Sequence, residues 1–170
     1  TYSGEHFSIA EFPGMKERTV VINGFSKSYA MTGWRMGYAC GPKDLVAIMN
    51  KIHQFAIMCA PTTSQYACVE ALRNGDGDVE RMRTSYNQRR RLMVDGFRKM
   101  GLECFEPLGA FYLFPSIKST GLTSDAFATQ LLHSQRVVAV PGTAFGDCGE
   151  GFIRCTYASS LDNLKIALER

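Results

Sequence analysis

The 170-residue chain holds 19 basic and 16 acidic residues, a net charge of +3, and is 45% hydrophobic. So mild a charge excludes a nucleic-acid partner recruited by net basicity, and no apolar run approaches the roughly 20 residues that span a bilayer. A chain of this length buries roughly 70% of its unfolded surface, enough for one domain or two small ones.

In chain order, Thr19-Val20-Val21-Ile22 is a short β-branched run that predicts a strand buried on both faces, as in a parallel sheet. Gly37 to Cys40 is a second short strand, closed by Gly41-Pro42. A helix is expected over about Lys43 to Phe55, with Leu45, Val46, Ile48, Met49 and Ile52 as its apolar stripe. Pro61 to Arg73 predicts another helix with proline in its first turn. After the Gly75-Asp76-Gly77-Asp78 break, Asp78 is placed to cap a long helix reaching Met100. Its core face would carry Val79, Met82, Tyr86, Met93, Phe97 and Met100, while Arg89-Arg90-Arg91 reads as a solvated face.

Beyond Gly101 the texture changes to short strands, at Glu103 to Phe105, Ala110 to Phe114, Val137 to Val140 and Gly151 to Tyr157. Helices are expected over Ser124 to Gln135 and from near Ser160 onward. The six cysteines include no C-x-x-C pair, and with three histidines at no ligand spacing they exclude a zinc site. They read as free thiols in a reducing cytosol. His6, His53 and His133 carry no motif.

Asn23-Gly24-Phe25-Ser26-Lys27-Ser28 is a polar turn directly after a buried strand, the position where open α/β sheets bind ligands. Arg35 adds a second cation between Gly33 and Gly37, glycines that allow backbone to approach a ligand closely. The pair suits a phosphorylated ligand. By themselves these features are weak, since a loop lysine is commonly just solvated.

The run from Ser26 to Tyr38, Ser-Lys-Ser-Tyr-Ala-Met-Thr-Gly-Trp-Arg-Met-Gly-Tyr, resembles the Schiff-base lysine motif of the class I/II aminotransferases, enzymes of fold type I that use pyridoxal 5'-phosphate (PLP). The resemblance implies that Lys27 bears the cofactor and that Arg35 clamps its phosphate. The residue types suit this. A lysine with pKa about 10.4 is less than roughly 0.1% neutral at pH 7, so its surroundings must lower that value before it can act as nucleophile or base. Arginine keeps its charge and offers phosphate two parallel donors. Many members place a hydroxyl three residues before the lysine, where this chain has Gly24; either phosphate binding is weaker here or Ser26 serves instead.

Three further segments resemble the family in its own order. Gly109-Ala110-Phe111-Tyr112 is similar to the small-domain signature, and Val140-Pro141-Gly142-Thr143-Ala144-Phe145-Gly146 to the loop lining the substrate site. Phe152 to Ala158 resembles the strand whose arginine, here Arg154, binds the substrate α-carboxylate. Tyr112 is expected in the core, and Phe145 as wall or core.

The resemblance implies an α/β fold: the tail of the large, mostly parallel-sheet domain over residues 1–60, then connecting helices and an α+β small domain over 61–170. The acidic residue, stacking aromatic and Gly-rich phosphate loop of the family precede the lysine by far more than the 26 residues present. With Thr1 at one end and a helical pattern still running at Arg170, the chain is expected to be a fragment of a protein about twice its length, inactive alone. The intact protein is expected to be a cytoplasmic, homodimeric transaminase moving an amino group from an amino acid to a 2-oxo acid. A fold-type-I lyase or synthase, and a PLP-binding regulatory module, are the alternatives. Which amino acid it takes is not written in these residues.

Overall fold

The computed structural model describes all of residues 1–170. The chain packs as two compact units: residues 5–82, and residues 1–4 with 83–170. The boundary expected at 60/61 concerns the longer protein; within this chain packing divides at 82/83, inside one helix. No helix is long and apolar enough to cross a membrane.

In the first unit, β1 (Val21–Gly24) pairs antiparallel with β2 (Gly37–Cys40), Val21 opposite Cys40 and Gly24 opposite Gly37. Between them lies a four-residue helix, α1 (Phe25–Ser28). The strand expected to be buried in a parallel sheet is thus one half of an exposed two-stranded ribbon, and Ile22 is 77% exposed. Its β-branched residues marked a strand correctly, but burial needs covering layers, and no other strand of the chain joins this pair.

Helix α2 (Lys43–Ile57) begins behind Pro42, and α3 (Thr62–Asn74) behind Pro61, each proline supplying the extended residue ahead of the first turn. The expected α2 stripe exists as a pattern but not as a core: Leu45, Ile48, Met49 and Ile52 are all exposed. In α3, Ser64 and Cys68 turn inward at helical spacing.

Helix α4 (Asp76–Lys99) follows after the single residue Gly75. Asp78 is therefore not its cap. The Gly75 carbonyl accepts from the Asp78 and Val79 amides at 3.0 Å, and Asp78 pairs with Arg81 on the surface. The arginine cluster also differs from a solvated face. Arg90 is 6% exposed. Tyr86, Arg90, Met93 and Phe97 share one stripe at i, i+4, i+7 and i+11, so the middle arginine is carried inward while Arg91 points to solvent.

The second unit is built on that stripe. A three-stranded antiparallel sheet has the order β3 (Tyr112–Leu113), β5 (Ile153–Thr156), β4 (Val140–Pro141). Met93, Val94, Phe97, Cys104, Leu113, Tyr157 and Leu164 form its core. Around the sheet lie α5 (Ser124–Gln135), capped by Thr123, and α6 (Leu161–Glu169), capped by Ser160.

Of the four strands expected beyond Gly101, one is missing and three are shorter, Ala110 to Phe114 being reduced to β3 and Gly151 to Tyr157 to β5. Glu103 to Phe105 forms no ladder; only the Glu103 carbonyl is used, by the Ser116 amide at 2.8 Å, and neighbouring Pro115 has no N–H to extend the pairing. The Val137 to Val140 run enters the sheet only at Val140. Residues Thr1–Gly4 complete this unit: the Tyr2 amide donates to the Leu108 carbonyl at 2.7 Å, and its ring packs against the core.

Candidate active site

Phe25 organises the lysine segment. Its ring is 3% exposed and lies 5.4 Å from Tyr29 and 5.8 Å from Tyr38. Its amide donates to the Met36 carbonyl at 3.2 Å, and its own carbonyl accepts from Tyr29 and Met31. With Phe25 anchored, Lys27 faces solvent and Ser26 is half-buried.

The hairpin register then decides what stands beside the lysine. Gly24 lies opposite Gly37, so the segment leaving β1 and the segment entering β2 sit at the same end of the ladder. That end carries Ser26 and Lys27 on one side and Arg35 on the other. A side chain at Gly37 would press its Cβ to 2.9 Å from the Asn23 carbonyl, so this glycine serves the close pairing of the two strands. Gly33 stands in open space.

Arg35 adopts left-handed backbone angles (φ 53°, ψ 47°), as does Ala30 (φ 54°). Such angles cost a non-glycine residue about 1–2 kcal/mol, and they cluster at ligand clamps. The Arg35 guanidinium donates to the Thr32 carbonyl at 3.2 Å, which leaves most of its donors for other partners.

Arg154 belongs to the other unit, on the central strand β5. It is half-buried, and its side chain makes no hydrogen bond or ion pair with the protein. Instead its guanidinium carbon lies 4.5 Å from the Tyr112 ring centre and 4.7 Å from that of Phe145. Tyr112 was expected in the core. In β3, however, Leu113 takes the inward position at 2% exposure, and strand alternation turns Tyr112 outward onto the face that carries Arg154. Phe145 is presented by a 3-10 turn at Gly142–Phe145 and also lines this face.

Just ahead of β5, buried Ser124 is the centre of a polar knot. The Ser124 hydroxyl accepts from the Gly151 amide at 2.8 Å and the Phe152 amide at 3.2 Å, and Glu150 accepts from the Ser124 amide at 2.9 Å. It fixes the entry into β5, and hence where Arg154 begins. His6, His53 and His133 are all on the surface.

The arrangement offers an amine, a hydroxyl and a guanidinium at one hairpin end, and a second guanidinium with five uncommitted donors on a separate sheet. Comparison with known proteins gives these features a common setting. A model of the family "Aminotransferase class I and II" matches residues 2–170. The Bacillus subtilis protein named "Putative aminotransferase YugH" is 56% identical over the whole chain, which spans 44% of that protein. An aspartate aminotransferase of Pyrococcus abyssi is 45% identical over 98% of the chain and 43% of its own length. The solved structure of an aromatic aminotransferase from Pyrococcus horikoshii OT3 superposes with a TM-score of 0.93 at 44% identity, covering 98% of this chain and 45% of that one. The lysine hairpin and the arginine strand thus lie within one continuous family match, and the chain, spanning a little under half the length of these relatives, belongs to the class I and II aminotransferases.

Proposed function

We propose that the intact protein is a PLP-dependent transaminase, transferring an amino group from an amino acid to a 2-oxo acid. The observation that carries the reading is the β1–β2 register, which sets Lys27, Ser26 and Arg35 at one end of a hairpin. An amine, a hydroxyl and a guanidinium form a donor set that fits an aldehyde bearing a phosphate. Lys27 would be the point of attachment, and Arg35 with Ser26 would hold the phosphate.

Bound PLP supplies the electron sink that acidifies the substrate Cα–H. In this reading Lys27 Nζ would take the substrate Cα proton as general base and return it as general acid. Arg35 carries no proton in either direction; its fixed charge holds the phosphate in place. Arg154 binds the α-carboxylate, turning the substrate so that its Cα–H meets the amine. Residues 1–60 are assigned to the large domain and 61–170 to the connecting helices and small domain. The exposed apolar face of α2 supports further packing partners in the intact protein, which we assign as a homodimer. The six unpaired cysteines support a reducing cytoplasm as its location.

The test is absorbance between about 300 and 500 nm after PLP is added to the full-length protein, followed by borohydride reduction and peptide mass mapping. A yellow band and a reduced adduct on Lys27 are expected. No adduct at Lys27 overturns the cofactor assignment. Product analysis then separates transamination, which yields a 2-oxo acid and aminated cofactor, from elimination, which releases ammonia.

A further inference from the structure

We propose that Tyr112 and Phe145 are positioning residues for Arg154, holding its guanidinium in the orientation that takes a substrate carboxylate. The inference rests on the carboxylate reading of Arg154 given above.

Both rings lie against the Arg154 guanidinium, and they reach it from different elements. Tyr112 stands opposite Thr156 in the ladder, diagonal to Arg154 on the same face, and its ring centre is 4.5 Å from the guanidinium carbon. Phe145 comes from the turn after β4 and stands at 4.7 Å. Both distances are within the range of a cation–π contact. An aromatic face attracts the cation but accepts none of its N–H bonds in the way an oxygen does. The side chain is therefore located without using up the donors that a carboxylate needs.

Each ring is itself fixed. Tyr112 is tied to the sheet by backbone pairing with β5. The turn holding Phe145 is secured three ways. The Gly142 amide donates to the Phe152 carbonyl at 2.9 Å. The Thr143 hydroxyl donates to the Asp125 carboxylate at 3.0 Å. Gly142 and Gly149 lie so close that a Cβ on either would come within 2.0 Å of the other's carbonyl oxygen. Phe114 then braces Phe145 edge-on at 5.9 Å and stacks on Phe152 at 5.5 Å. A flexible arginine would have to be ordered by each incoming ligand; here that ordering is done in advance by the two rings.

The experiment uses the full-length protein loaded with cofactor. Calorimetry measures the affinity of a 2-oxo acid and of its primary amide, giving an acid-to-amide preference for each variant. In Tyr112→Leu and in Phe145→Leu this preference is expected to fall about tenfold. Tyr112→Phe, which keeps the ring, is expected to retain it. Arg154→Gln is expected to abolish it, and adding Tyr112→Leu to Arg154→Gln is expected to change nothing more. Thermal melts accompany each variant, and Phe145→Tyr serves as a ring-retaining partner for Phe145→Leu. An undiminished preference in both leucine variants, or an equal loss of affinity for acid and amide, overturns the positioning role while leaving Arg154 as the carboxylate site. An undiminished preference in Arg154→Gln overturns the carboxylate reading itself.

Discussion

The Arg90 guanidinium donates to the Glu106 carboxylate at 2.7 Å and to the Pro107 carbonyl at 3.1 Å, pinning the middle of α4 to the loop that leads into β3. Two further bonds reach Asn87, and the Tyr2 ring lies 5.1 Å from the guanidinium carbon. A charge that looked like surface decoration is a structural rivet.

Arg90→Met is therefore expected to destabilise the fold by about 1–3 kcal/mol, read as a lower thermal midpoint. It also changes the acid response. The hydrogen bond from Arg90 is the chief cause holding the Glu106 carboxyl below its ordinary value of 4.5. A depressed carboxylate stabilises the fold above its unfolded pKa, and that stabilisation is lost as pH falls through the folded value. The gap in midpoint between wild type and Arg90→Met should thus narrow as pH drops below about 4.5. A gap that stays constant down to about pH 2 would show that Glu106 is not the titrating partner.

Ala110 takes left-handed angles (φ 59°), and its carbonyl accepts from both the Tyr157 hydroxyl, at 2.9 Å, and the Tyr2 hydroxyl. Either Tyr→Phe change alone leaves one donor in place and should cost well under about 1 kcal/mol more than the lost hydroxyl bond itself. The double change removes both donors to the Ala110 carbonyl, and because the two hydroxyls also bond each other its cost should differ from the sum of the singles. A double-mutant cycle in urea measures the difference, and strict additivity would refute shared satisfaction.

Gly149→Ala places a methyl group 2.0 Å from the Gly142 carbonyl oxygen, backbone that cannot step aside cheaply. We expect a loss of about 2 kcal/mol or more in denaturant titrations. Gly33→Ala, in open space, is the control and should lie within about 0.5 kcal/mol of wild type.

Burial, and secondarily the neighbouring Cys104, pushes the Cys155 thiol up to about 12, and burial also raises Cys104. Cys148 is exposed. At about pH 8 iodoacetamide should therefore alkylate Cys148 at least a hundredfold faster than Cys155 or Cys104, a difference that disappears in denaturant. Mass mapping of a time course checks this; comparable native rates would contradict the burial of the pair.

The lysine segment was legible because its information is local. Ser26, Lys27 and Arg35 fall within one short hairpin, and strand, turn and strand are all written in consecutive residues. Arg154 was legible as a residue but its setting was not, since Tyr112 and Phe145 converge on it only through strand register. Tyr112 in particular looked apolar enough for the core, and only the inward choice of Leu113 fixes its outward face. Arg90 could have been found from the stripe already drawn through Tyr86, Met93 and Phe97, which passes directly over it; three adjacent arginines hid the one that differs. The burial of β1 and α2 failed for another reason. Apolar patterning says which face wants cover, not whether these 170 residues contain the cover.

Tyr2 and Ala110 are 108 residues apart in sequence, yet both belong to the second unit. Closing a loop of that length carries an entropy cost of about 4 kcal/mol, against which the backbone and hydroxyl bonds of Tyr2 and the packing of its ring are set. The local pairings of α4, β3 and β5 require far shorter closures, so they can form without the N-terminal strand of residues and recruit it afterwards. The order of assembly is thereby set by topology: residues 1–4, distant in sequence from the rest of this core, join it after its local pairings have formed.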